Sequence, residues 1–549
     1  MFRTRTLWFL AGTFTLAAVP AQEPPAPPAP APPTAPPAPP KQEPRRPRRP
    51  DWKPTLSLPA DLWTDVTATT IGAEKEWTNK VELADLDGDG RPEILFANGG
   101  DYDKAGTPVP SRVFANAGAG KPWPEITTQV FGDALFLARV IKVADVDGDG
   151  HADVFVGTTF QTQSRLFRGQ GQGRFADATA TLLPAMPLSV GDAEFGDVDG
   201  DGDLDLVLAD WGPGSPMRNE GARPRLWLWD GAKFVDSTDG RIPDWRVRFC
   251  WELEWIDVDN DFDLDLLVSS KRSPGSFLAH NDGKGVFTDA TARLPQFTNN
   301  YEFEPMDVDG DGVLDVVTIN DGAGEQRFTE HLFVGDGKGG FTDATGERWP
   351  AADNPRFDDN MIAFLDYDSD GDADFLIGSL DGPDRLLVND GRGRFQAGAP
   401  VFAGDPTNGT LAIALGDLDG DRRLDVVHAQ GEVATASADK VFFGKSIPPD
   451  TAPPCIGPLH VQPGGGGAAT VVRVRIHDRQ SPSRAHDWRA VVLRATQGGK
   501  TTEVRPAWYG EYLWCARVQP AAGRLSLEVT ATDAAGNTAT SPPVTVEVR

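Results

Sequence analysis

Cysteine, methionine, tyrosine and histidine are all scarce, at 3, 5, 5 and 7 residues in 549. Three cysteines exclude a scaffold built on disulfides. Cys455 and Cys515 share one stretch of chain and could pair, whereas Cys250, in Phe249-Cys250-Trp251, has the apolar surroundings of a buried free thiol. With seven histidines and no Gly-x-Ser-x-Gly, His-Glu-x-x-His or phosphate-cradling loop, little in the chain suits the familiar nucleophile–base or zinc chemistries. Basic residues are also short, 52 Lys and Arg against 81 Asp and Glu, for a net charge of −29. Residues 1–50 carry a net +5 and residues 450–549 a net +3, which leaves −37 on residues 51–449. Nucleic acid needs a basic footprint and is excluded as a partner. A domain so acidic calls for counter-cations.

Long apolar runs are missing too. The longest, Leu7 to Val19, falls short of the roughly 20 residues a spanning helix needs. It follows Arg3 and Arg5 and leads into Val19-Pro20-Ala21, the pattern of a secretory signal cut after Ala21. The reading is therefore a signal peptide over 1–21, no transmembrane segment, and a secreted, periplasmic or cell-surface location. Residues 22–52 are mostly Pro and Ala, with a basic end at Arg45-Arg46-Pro47-Arg48-Arg49, and form a semi-rigid polyproline linker.

What the chain has in plenty is glycine, aspartate and repetition. The pattern Asp-x-Asp-x-Asp-x-x-x-Asp/Glu followed by an apolar run begins at Asp85, Asp145, Asp197, Asp257, Asp307, Asp366 and Asp417. The spacings of 60, 52, 60, 50, 59 and 51 residues suit one four-stranded blade per repeat. Each repeat also carries a Gly-rich turn and a Phe-x-Asp-x-Thr signature, clear at Phe175, Phe234, Phe287 and Phe341 and degenerate at Trp123 and Phe395. The seventh repeat lacks it, but Trp63-Thr64-Asp65-Val66-Thr67 supplies it at the other end of the chain. The N-terminal strand is thus expected to complete the last blade and close the ring, which removes an exposed sheet edge. The expected fold is all-β: a seven-bladed β-propeller over 53–447, then a small β-sandwich over 450–549, where alternating runs such as Val472-Arg473-Val474-Arg475-Ile476 read as half-buried strands.

Each acidic loop offers carboxylates at positions 1, 3, 5 and 9 and a backbone carbonyl at position 7. Calcium accepts six to eight such hard oxygens in flexible geometry. The predicted ligands are Asp85, Asp87, Asp89 and Glu93 in the first loop, and Asp145, Asp147, Asp149 and Asp153 in the second. Asp197, Asp199, Asp201 and Asp205 follow in the third, and Asp257, Asp259, Asp261 and Asp265 in the fourth. Asp307, Asp309, Asp311 and Asp315 form the fifth set, Asp366, Asp368, Asp370 and Asp374 the sixth, and Asp417, Asp419, Asp421 and Asp425 the seventh. The expected cofactor is up to seven calcium ions in structural roles. Asn260 and Phe262 in the fourth loop and Arg422 in the seventh depart from the usual glycines, and weaker binding is expected there.

The acidic loops together with turns such as Asn281-Asp282-Gly283-Lys284-Gly285-Val286-Phe287 resemble FG-GAP/VCBS-repeat propellers, the broad group that includes integrin α-subunit heads. Ala531-Thr532-Asp533-Ala534-Ala535-Gly536-Asn537 resembles the late hairpin of bacterial immunoglobulin-like domains. The first resemblance implies an adhesion or ligand-binding module for a glycan or extracellular protein. It leaves open a polysaccharide lyase or hydrolase with a loop-built active site, and the oligomeric state. It also implies that ligands meet the face opposite the acidic loops, near 98–111, 210–224, 320–330 and 429–440.

Two further features bear on a ligand. Five and three residues before the acidic loops lie Asp192 and Glu194, Glu252 and Glu254, and Glu302 and Glu304. Period-two spacing puts each pair on one strand face, lining the axis as a candidate cation site. Trp211 and Trp245 stand in loop-like context and are candidates for stacking on sugar rings.

Overall fold

The computed structural model describes residues 52–549, apart from 101–103, 215–217, 273–274, 298, 321–327, 403–408, 432–436 and 465–467. The signal and nearly all of the proline-rich linker fall outside the described residues.

Among the described residues, seven antiparallel sheets of three or four strands follow one another between residues 63 and 444, with one further two-stranded pairing of Lys75–Glu76 and Ser437–Ala438. The second is representative: Ala138–Ala144, Asp153–Thr158, Arg165–Gly169 and Phe175–Asp177 pair in chain order from the inside outward. The innermost strands are Thr78–Ala84, Ala138–Ala144, Val190–Gly196, Leu253–Ile256, Asn300–Met306, Asp359–Leu365 and Thr410–Gly416. Each packs against the next, and the last packs against the first. The sheets therefore form a closed cycle, the arrangement of a β-propeller. Neighbouring sheets bury aromatic and branched side chains between them, as Phe155, Phe195, Leu206 and Trp227 do.

The cycle closes with the two ends of the propeller sequence in one sheet. Trp63–Asp65 is the outer strand beside Lys440–Gly444, with Trp63 opposite Gly444 and Asp65 opposite Phe442. The Phe-x-Asp-x-Thr signature explains why this segment fits. In other sheets its Thr hydroxyl accepts the amide of the third strand, as Thr179 does from Leu166 and Thr345 from Leu332. Thr67 accepts the Val441 amide at 3.0 Å in the same way, across the chain's length. The degenerate copy at Trp123 keeps the stitch, with Thr127 accepting from Val113.

Residues 455–548 form two five-stranded antiparallel sheets. Thr470–His477 and Leu513–Val518 centre one, and Trp488–Gln497 and Gly523–Asp533 the other. Val472, Val474 and Ile476 face Leu493, Leu525, Leu527 and Val529 in one core, so the unit is a small β-sandwich. All three cysteines are free, and Cys250 is buried. Cys455 lies opposite His477 and Cys515 opposite Arg473 on the strand Thr470–His477. Four residues at about 3.3 Å each put those positions about 13 Å apart along it, beyond the reach of a bridge.

Candidate functional site

Every acidic loop is the hairpin between an inner strand and its neighbour, and position 9 is the first residue of the second strand, as Asp153 is in Asp153–Thr158. Burial follows from that placement. Carboxylate oxygens of Asp85, Asp87 and Glu93 lie within 4.8 Å of one another, and the same holds for Asp145, Asp147 and Asp153 and for Asp197, Asp199 and Asp205. Asp257, Asp259 and Asp265 repeat the arrangement, while Asp307 clusters with Asp309 and Asp311. Loop amides pre-orient the first carboxylate: Asp85 accepts from Gly88, Asp89 and Gly90, and Asp417 from Gly420, Asp421 and Arg422. Position 9 braces the loop by accepting the amide of position 2 and one from the third strand, as Asp153 does from Val146 and Gly169.

Burial raises these position-9 carboxyls, and the neighbouring loop aspartates raise them further against the pull of the amide hydrogen bonds. Glu93 and Asp153 reach about 7, and Asp205, Asp315 and Asp425 about 8. An oxygen-only donor set, converged and partly desolvated, fits a hard cation of the calcium kind.

The seven loops share one backbone. Positions 4 and 6 both have positive φ throughout, from Gly88 and Gly90 at 81° and 85° to Gly420 and Arg422 at 84° and 69°. Asn260 and Phe262, at 62° and 66°, and Ser369, at 60°, adopt it without glycine's freedom. Three of these exceptions touch the sandwich or the segment leading to it. The Phe262 ring packs on His460 and its carbonyl accepts the Tyr509 hydroxyl. Ser369 bonds Thr451, and Arg422 donates to the Asp450 carbonyl.

The sandwich sits on the acidic-loop face through a row of arginines. Arg475 pairs with Asp257, Arg473 with Asp263 and Arg484 with Glu82, at 2.7, 3.0 and 3.0 Å. Arg479 donates to the Gly371 carbonyl and Arg517 to that of Gly200. Tyr512 donates to the Pro305 carbonyl, and Ser481 exchanges hydrogen bonds with Phe364. The strand pattern after residue 450 predicts a separate unit and carries no local sign of these contacts. The available signal was the concentration of arginine after residue 470 opposite an acidic propeller.

The six axial carboxylates are brought together, but the axis is not a plain acidic wall. Lys80 stands at the −5 position of the first repeat and Lys142 at the −3 position of the second, in the register of the acids. Lys80 pairs with Glu252 at 2.6 Å, and Lys142 pairs with Glu194. Burial drives Glu194 up to about 8 against the pull of Lys142, and Glu252 up to about 7. Glu254, Glu302 and Glu304 are raised well above the carboxylate range, by burial first and next by a neighbouring carboxylate, Glu511 for Glu254 and Glu304 and Glu252 for Glu302. From the sandwich, Glu511 joins them, raised to about 7 by burial.

The tryptophan candidates are corrected. Trp211 is fully buried edge-on against Trp251, and Trp245 packs on Phe277 while donating to Asp289. Neither is a sugar platform, because loop position did not imply exposure. The opposite-face loops fall partly outside the described residues. A cleft of about 500 Å³ opens instead at the seam between the sandwich and the first three sheets. It is lined by Glu82, Lys142, Glu194, Arg484, His486, Trp508 and Glu511, with Val146, Phe195 and Leu204 among its apolar wall.

The architecture defines a class, the all-β propeller with an acidic hairpin on each sheet. Within it, the model of the FG-GAP-like repeat matches residues 145–208, 257–318, 307–377 and 366–428. No curated protein sequence matches. Among solved structures, a fructofuranosidase variant from Schwanniomyces occidentalis complexed with fructosylnystose is similar at 8% identity and a TM-score of 0.31, covering 88% of this chain and 92% of its own. The exotype rhamnogalacturonan lyase YesX is similar at 13% identity and a TM-score of 0.28, covering 87% and 90%. At those scores neither likeness bears on chemistry. Among the described residues no helix is long and apolar enough to cross a membrane.

Proposed function

We propose that this chain is an exported, calcium-loaded, seven-bladed propeller with an immunoglobulin-like sandwich, acting as a binding module for a glycan or an extracellular protein. The observation that carries the reading is the seam cleft. It combines the half-exposed Trp508, held by its indole N–H on the Glu511 carbonyl at 2.7 Å, with several acidic groups and an apolar wall. An aromatic face beside oriented polar groups is how a rigid scaffold grips a sugar or a peptide side chain. In this reading calcium holds the loops that form one side of the cleft, where Asp85 and Asp145 reach its lining.

The alternative, a polysaccharide lyase or hydrolase, would find a histidine near an arginine at this cleft. Both are already engaged: Arg484 is paired with Glu82, and His486 shares its Nε2 with the Leu83 carbonyl. The deciding experiment is binding of the full chain to glycan and extracellular-protein panels, in calcium and in chelator, beside the variant Trp508→Ala. Binding that needs both calcium and Trp508 supports the module. Binding unaffected by either, or turnover of a polysaccharide, overturns it.

A further inference from the structure

The seam cleft holds acceptors in excess of free donors. Four carboxylates that are not predicted loop ligands line it, those of Glu82, Glu194, Asp203 and Glu511, against the two cations Lys142 and Arg484. Both cations are engaged within the cleft: Lys142 pairs with Glu194, and Arg484 with Glu82 at 3.0 Å. Two further donors are turned inward. Trp508 gives its indole N–H to the Glu511 carbonyl and His486 its Nε2–H to the Leu83 carbonyl, each at 2.7 Å.

Two of the carboxylates, Asp203 and Glu511, keep no ion-pair partner among the described residues. Asp203 is exposed at the seventh position of the third loop, where the backbone carbonyl and not the side chain is the predicted ligand. Glu511 reaches the cleft from the sandwich; it is 7% exposed, and its Oε1 is buried with no hydrogen-bond partner. Such an oxygen is costly until a donor reaches it, and a charged donor compensates it best. The half-exposed Trp508 ring lines the same cleft. A phosphate, sulfate or uronate would bring charge of the wrong sign here. A neutral sugar would find few free donors for its oxygens.

We infer, building on the binding-module reading above, that the seam cleft takes a cationic side chain, the guanidinium or ammonium of an arginine or lysine displayed by an extracellular protein. Such a group carries donors and no acceptor, which complements Asp203 and Glu511. A cation near an aromatic face is also attracted by the ring's quadrupole, which gives Trp508 a part in recognition that needs no free N–H. The aliphatic stem has the apolar wall of Val146, Phe195 and Leu204 to lie on. The strongly acidic propeller draws a basic partner toward the seam from a distance.

The test is equilibrium binding of a short, end-capped glycine peptide with a single arginine to the full chain in calcium, at low and at physiological salt. Citrulline in place of the arginine keeps the shape and removes the charge. The expected result is binding of the arginine peptide alone, weakened by salt. Asp203→Asn and Glu511→Gln should each weaken it about tenfold, the loss of one charged hydrogen bond. Asp203 is exposed, so its variant decides even where Glu511→Gln does not fold. Equal binding of the two peptides, binding of neither, or an affinity unchanged in Asp203→Asn overturns the cationic ligand. A neutral glycan bound through Trp508, with neither peptide bound, overturns it too and leaves the binding module itself standing.

Discussion

Arg475 of the sandwich reaches Asp257, the first residue of the fourth acidic loop, with Nη2 2.7 Å from Oδ2 and both side chains buried. The same guanidinium bonds the carbonyls of Asp257 and of Gly312, in the fifth loop. One residue thus ties the C-terminal unit to two candidate metal loops and sets a protein cation beside a predicted calcium ligand.

Removing that cation strands a buried carboxylate. Arg475→Met is expected to lower unfolding stability by about 3 kcal/mol in chelator. The loss should be smaller in calcium, because an ion in the fourth loop takes over the compensation of Asp257. Denaturant unfolding in the two conditions checks both parts.

The loop backbone makes a second prediction. Gly150 holds φ at 86°, and a Cβ there would meet nothing within 4 Å, so Gly150→Ala tests backbone strain alone. It should cost about 1–2 kcal/mol, read as a lower midpoint of denaturant unfolding. Phe262→Gly relieves the same strain in the fourth loop but removes the ring that packs on His460. It should therefore not stabilise.

Ring closure rests on one tryptophan. Trp63 is fully buried, packs on Phe402 and donates to the Leu424 carbonyl at 2.8 Å. Trp63→Ala should cost about 3–5 kcal/mol. The seventh sheet should lose amide-exchange protection first, since it loses its outer strand.

Acid should weaken the sandwich seam through His477. Burial and the nearby Arg479 and Arg475 lower its pKa to about 3. The unfolded chain takes up a proton near pH 6.5, which the folded chain refuses until about 3. This contribution is present above pH 6.5 and is lost as pH falls, by up to about 1.4 kcal/mol per unit. His477→Gln should flatten that part of the stability profile.

Much of this was legible in the residues. Seven in-phase acidic patterns gave the hairpins, and the displaced signature at Trp63 gave the closure, because both are local patterns whose spacing carries the geometry. Period two also put Asp192, Glu194 and their counterparts on the axis. The partner was not legible. Nothing local says that Lys80 and Lys142 meet those acids across sheets, or that Glu511 of the sandwich joins Lys142 and Glu194 at the seam. Phe262 and Arg422 looked like flaws in the calcium pattern, and their neighbours in space show them to be docking contacts. Trp211 and Trp245 failed for the opposite reason: a loop in sequence can be a core in three dimensions.

The most direct test of the central claim, that the acidic hairpins hold calcium and calcium holds the fold, is thermal unfolding of the full chain with calcium and after chelation, with bound calcium counted on the same sample. The account predicts about seven ions in the loops and a marked fall in melting temperature when they are removed. A count near zero with unchanged melting would contradict it and leave the hairpins as acidic turns.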